Sequence, residues 1–112
     1  MNFENLDVWK RSARLSAEIY KVTASLKDFG FRDQLTLSGL SVPSNIAEGM
    51  TLESVKEKKR FLDIARSSLS EARTQIYIGI DIGYLPKQQA QEWLVETREL
   101  SAMLNSLKNK LI

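Results

Sequence analysis

Apolar residues recur at every third or fourth position along most of the chain, and no alternating run competes, so the pattern predicts helices and no strands. Drawn as wheels at about 100° per residue, the last segment carries one apolar stripe. It comprises Ala90, Trp93, Thr97, Leu100, Leu104, Leu107 and Leu111, with Met103 at its edge. A second segment aligns Phe61, Leu62, Ala65, Leu69, Ala72, Ile76 and Ile80 in the same way. Each stripe is as wide as one bundle core can use. The predicted helices run from about Asn5 to Lys27, Phe31 to Glu48, Val55 to Ile82, and Pro86 to the C-terminus. Gly30, Gly49 and Gly83 each follow a periodic stretch, as left-handed helix-ending residues do. Ser54 with Glu57 reads as a capping box, and Pro86 suits a first helical turn. Short loops between long helices favour an all-α, up-down-up-down antiparallel four-helix bundle, a single domain over residues 1–112.

The first helix does not fit one core. Leu6, Trp9, Ala13, Ala17, Tyr20 and Ala24 form one stripe, and Val8, Leu15, Ile19, Val22 and Leu26 form another, roughly 150° away. Ser12, Ser16 and Thr23 fill the arc between them. If the first stripe faces the bundle, the second is left for another subunit, because large exposed apolar patches mark association sites. On that reading Val8, Leu15, Ile19, Val22 and Leu26 form an oligomer interface. The alternative is an off-axis first helix wrapped by neighbouring loops.

The second helix contains Pro43, which removes one backbone hydrogen bond and crowds the carbonyl four residues earlier. That residue is Gly39, so a kink, or a break into two pieces, is expected between Gly39 and Pro43. Beside the apolar side (Phe31, Leu35, Val42, Ile46, Met50) runs a polar line of Gln34, Ser38, Ser41, Asn45 and Glu48. Its hydroxyl, amide and carboxylate groups are suited to satisfying freed carbonyls or bonding an adjacent helix. A polar pocket around Asn45 and Glu48 is the functional alternative.

Composition removes most enzymatic chemistry. There is no cysteine for a disulfide, thiolate or zinc-thiolate site, and no histidine to act as general base or metal ligand. A ferritin-like di-iron centre needs Glu-x-x-His pairs, which this chain cannot supply. An enzyme or metalloprotein built on carboxylates such as Glu48 and Glu71 is the weakest reading. No catalytic, cofactor-binding or metal residue is predicted, and no small-molecule substrate. No apolar run nears the roughly 18 residues a membrane helix needs, and Met1-Asn2-Phe3-Glu4 lacks the order of a leader. A cytoplasmic protein without a membrane partner is expected.

Further residues carry a resemblance: Phe3-x-x-Leu6-x-Val8-Trp9, Ile19-Tyr20, Gln34-Leu35, and Ser41-Val42-Pro43-Ser44-Asn45-Ile46-Ala47-Glu48-Gly49. Arg60-Phe61-Leu62-x-Ile64-Ala65-Arg66-x-Ser68-Leu69-x-Glu71 and Gly83-Tyr84 follow. The chain resembles a bacterial four-helix-bundle family first described from open reading frames in large-subunit rRNA intervening sequences. Gly39, Ser41, Pro43, Asn45, Glu48 and Gly49 form its structural motif here. The resemblance implies a left-handed bundle assembling as a ring-shaped homopentamer, no enzymatic activity, and RNA as a candidate partner. Accessory proteins of diversity-generating retroelements, which engage a reverse transcriptase and nucleic acid, are distantly similar. The chain departs from the family pattern in two places. Thr36-Leu37-Ser38-Gly39 stands where a basic pair is common, and Met50-Thr51-Leu52-Glu53-Ser54 where a basic, glycine-containing stretch is common.

Net charge is only +2, so a nucleic-acid partner needs local clusters. Lys59, Arg66 and Arg73 recur every seventh residue as a ridge, and Lys10, Arg11 and Arg14 lie together on the first helix. Contacts of that kind bind phosphate without sequence preference and weaken with salt. Against them stands a solvated surface laced with intrahelical pairs such as Glu57 with Arg60 and Asp63 with Arg66. The aromatic residues Trp9, Trp93, Phe61 and Tyr20 fall on core stripes and not on a base-stacking platform. The leading reading is a non-enzymatic homo-oligomeric scaffold holding RNA or a nucleic-acid enzyme. The alternatives are a protein–protein adaptor that binds no nucleic acid, or an accessory subunit of a reverse-transcriptase system.

Overall fold

Local capping places three of the helix starts. A computed structural model describes residues 2–112; Met1, part of the segment read for a leader, lies outside them. Asn2 caps a short 3-10 turn (Phe3–Asn5) by accepting from the Glu4 N–H. Helix α1 then spans Asp7–Thr23, α2 Phe29–Thr51, α3 Val55–Asp81 and α4 Lys87–Lys110, and no strand occurs among the described residues. Asp28 accepts from the Phe31 N–H at 3.1 Å to start α2, and Ser54 accepts from the Glu57 N–H at 3.3 Å to start α3. Pro86 is the residue before α4 and not its first.

The glycines divide. Gly83 adopts φ +75° after α3, and the Tyr84 N–H reaches back to the Gly79 carbonyl at 2.9 Å while the Gly83 N–H bonds the Ile80 carbonyl at 3.1 Å. That pair of bonds is a Schellman ending, and glycine supplies the left-handed residue it needs. Gly30 and Gly49 do not end helices. Gly30 lies in the first turn of α2, and Gly49 lies inside its last. A Cβ on Gly49 would stand 2.7 Å from the Phe61 Cβ. The missing side chain there admits α3.

Sequence neighbours are neighbours in space: α1 lies on α2, α2 on α3, α3 on α4, and α4 returns to α1. Their common axis makes a four-helix bundle 44 × 21 × 20 Å across. Leu35, Ile46, Leu62, Leu69, Ile76, Leu100 and Leu104 fill its centre, fully buried. The α3 and α4 stripes face this core as their spacing predicts, except for Phe61, which is half-buried against α2 at Gly49. Helix α2 runs unbroken through Pro43, so the predicted division into two pieces does not occur. At the loop end of the bundle, the Tyr84 hydroxyl donates to Asp28 at 3.0 Å and its ring meets Phe31 edge-on at 5.3 Å.

Candidate functional site

The structure reverses the two faces of α1. Ile19 is fully buried, and Val8 and Leu15 are nearly so, all against the chain's own core. Val22 packs at the core's edge, and Leu26 is half-buried in the following loop. The assignment of Val8, Leu15 and Ile19 to a subunit interface is therefore corrected, since side chains already hidden within one chain have no surface to offer another; Val22 and Leu26 keep only part of theirs. The buried arc continues through Ser12, Ser16 and Thr23. The Ser12 and Thr23 hydroxyls reach inward without cost in unpaired groups, donating to the carbonyls of Trp9 at 3.0 Å and Ile19 at 2.7 Å.

The stripe expected to face inward instead borders solvent. Ala17 and Ala24 are exposed, Tyr20 is 45% exposed, and Trp9 and Ala13 are half-buried. Across from them on α2, Leu37 is 63% and Leu40 42% exposed. Trp9, Ala13, Leu40, Pro43, Ser44 and Ala47 line a groove between the two helices. Phe3 closes one end, its ring 5.3 Å from that of Trp9. The segment ahead of α1 thus wraps part of this face, as the alternative reading of α1 required, but leaves most of it open.

Around Pro43 the polar line bonds mainly to its own helix. Ser38 donates to the Gln34 carbonyl at 2.9 Å, Ser44 to the Leu40 carbonyl at 2.9 Å, and the Asn45 amide to the Ser41 carbonyl at 2.8 Å. Ser41 and Ser68 share a hydroxyl hydrogen bond of 2.9 Å from α2 to α3. Gly39 faces α1, where an added Cβ would come within 3.2 Å of Ile19. The exposed Glu48 joins no cluster; its carbonyl accepts from the Thr51 hydroxyl at 2.8 Å. These contacts build the α1–α2–α3 packing and commit the Asn45 amide to Ser41. No group of three or more metal-capable His, Cys, Asp or Glu side chains occurs among the described residues.

Of the six basic candidates, three are engaged within the fold: Arg66 lies 3.9 Å from Asp63 in the intrahelical pair its spacing offers, and Arg11 and Arg73 reach across to α4. Arg11 donates through Nε to Glu96 at 2.9 Å and through Nη2 to both Glu96 and, at 2.6 Å, Glu99. The hydrogen bonds it donates to Glu96 and then to Glu99 hold its guanidinium even more firmly protonated than usual. Arg73 donates to the Thr97 hydroxyl at 3.1 Å. Arg73 thus leans on α4, and Lys59, Arg66 and Arg73 are all half-buried. Lys10 and Arg14 are exposed and make no ion pair among the described residues. The acidic partners on α4, and the bond from the Trp93 indole to Glu18 at 3.1 Å, were missed because they join residues 75 or more positions apart. No helix among the described residues is long and apolar enough to cross a membrane.

No functionally curated protein matches the chain. Among solved structures, a protein of unknown function from the S23 ribosomal protein family of Bacteroides thetaiotaomicron superposes with a TM-score of 0.83 at 24% identity. The match covers 90% of this chain and 97% of that one, and it shows the shared fold. The sequence pattern of a family described as 23S rRNA-intervening sequence protein matches residues 4–106, nearly all of the four helices. The chain belongs to the 23S rRNA-intervening sequence protein family.

Proposed function

We propose that the protein is a non-enzymatic scaffold of the cytoplasm that assembles with copies of itself, in a ring of five, and holds RNA or a nucleic-acid enzyme on its basic surfaces. The observation that carries this reading is the open apolar face between α1 and α2. Tyr20, Leu37 and Leu40 stand exposed beside a groove floored by Trp9, Ala13 and Pro43. A monomer of this size gains nothing by leaving such a face in water, and a second copy would cover it. The proposed interface is thus this groove, on the other side of α1 from the one its wheel suggested. Lys10 and Arg14 are exposed on α1 away from this groove, Arg14 on the side of α4, so assembly would repeat their charge around the ring. Family membership supports the scaffold reading, and the lack of histidine and cysteine supports the absence of catalysis.

The test is sedimentation of the wild type beside a Tyr20→Asp, Leu40→Asp double variant. A wild-type oligomer and a variant monomer of unchanged helicity are expected, since burying two charges across an interface is costly. A wild type that sediments as a monomer at tens of micromolar would end the scaffold reading. RNA binding is read separately, as affinity for a mixed-sequence RNA at low and high salt. The engagement of Arg11 and Arg73 inside the fold favours, as a second reading, an adaptor that binds only protein. Undetectable RNA affinity at low salt together with an intact oligomer would select it.

A further inference from the structure

We propose that a serine-lined cleft centred on Arg66, between α3 and α4, takes a tetrahedral phosphate group. Asp63, Arg66, Ser67, Ser70 and Ser101 line this cleft. Ser68, next in sequence to Ser67, is bonded to Ser41, whereas the Ser67, Ser70 and Ser101 hydroxyls have no side-chain partner among the described residues. The Arg66 Nε–H is enclosed without an acceptor. That nitrogen presents no surface to the cleft, so the donors a ligand could reach are the outer guanidinium nitrogens of a side chain 37% exposed. Asp63 is turned to Lys108: both its oxygens lie 2.9 Å from the Lys108 Nζ, while Arg66 Nη1 is 3.9 Å away. Lys108 neutralises Asp63, and the charge of Arg66 is left over. A guanidinium paired only at 3.9 Å with a carboxylate that Lys108 already neutralises, beside three hydroxyls without a side-chain partner, is a donor set a phosphate accepts from. Glu71 lines the adjoining depression and not this one.

The proposal gives the nucleic-acid part of the proposed function its contact and rests on that part only for the source of the phosphate. Two probes separate the sources: a mixed-sequence single-stranded RNA of 12 nucleotides, and inorganic phosphate followed by amide resonances. Arg66→Gln is expected to weaken RNA binding about tenfold and to lower the slope of log affinity against log salt by about one. Ser70→Ala with Ser101→Ala weakens binding while keeping that slope, and serves should Arg66→Gln fail to fold. Phosphate should shift the Ser67, Ser70 and Ser101 amides in the wild type and not in Arg66→Gln. RNA bound equally by wild type and Arg66→Gln, with equal slopes, would overturn this site and leave the scaffold's RNA role to other residues. If the wild type binds no RNA but phosphate shifts the three serines, the cleft stands as a site for a free phosphate. Loss of both signals in the wild type removes it.

Discussion

Where α2 meets α3, Gly49 admits Phe61, Ser41 shares a short bond with Ser68, and the Lys58 ammonium reaches the Met50 carbonyl at 3.1 Å. Where α1 meets α4, the contact is thinner and is spanned by long side chains: Arg11 to Glu96 and Glu99, and Trp93 to Glu18. Short residues let two backbones approach, so one seam is held by burial and dispersion, which salt does not screen. Long charged residues bridge a wider gap, and at partly exposed positions their attraction falls with ionic strength. The bundle therefore has one seam indifferent to solvent ions and one that responds to them.

The sharpest way to break the first seam is Gly49→Ala. Its methyl would meet the Phe61 Cβ, an atom fixed close to the backbone, so α2 and α3 must separate. A loss of about 2 kcal/mol is expected from overpacking, read by denaturant unfolding and equal at low and high salt. An unchanged midpoint would show that the close approach is dispensable. For the second seam, Arg11→Gln should cost about 1 kcal/mol at low salt and almost nothing in 1 M salt, where the Debye length shrinks to about 3 Å. A cost that persists at high salt would mean that the contact of Arg11 Nη1 with the Met103 sulfur, 3.4 Å away, and not charge, holds α1 to α4. The smallest effect lies outside both seams. The hydrogen bond to Asp28, and then its charge, raise the Tyr84 phenol above its usual 10.0, so the folded state keeps a proton that the unfolded state releases. That contribution is complete below pH 10 and is lost as pH climbs through the raised value. Wild-type stability should fall more steeply above pH 10 than that of Tyr84→Phe, in unfolding followed from pH 9 to 11; parallel profiles would show no such coupling.

The wheels of α3 and α4 were readable because each offers one apolar stripe. Helix α1 offers two, and a wheel does not say which faces inward. Trp9 and Tyr20 are the larger side chains, yet the buried arc is the one that Ser12, Ser16 and Thr23 extend, because small residues let α1 settle against α2 at Gly39. That partner is known only from tertiary structure. Gly49 misled for a similar reason: its purpose is a neighbour's Cβ, and nothing within α2 records it. The seven-residue recurrence of Lys59, Arg66 and Arg73 is real, but Thr97, which receives Arg73, is 24 positions away. The cap at Ser54 and the ending at Gly83, by contrast, are set by residues within five positions, and both were legible.

Asp28 uses its two oxygens differently, one holding the Phe31 N–H and the other the Tyr84 hydroxyl. The first anchors the α1–α2 hairpin and the second belongs to the turn of the α3–α4 hairpin. Apolar stripes on long helices tolerate slippage, since a shift by one turn, about 5.4 Å, still sets leucine against leucine. Such a slide would carry Tyr84 out of reach of Asp28. One carboxylate at the rim thus joins the fit of Phe61 at Gly49 in favouring a single axial register for the two hairpins, a choice leucine against leucine alone would leave degenerate.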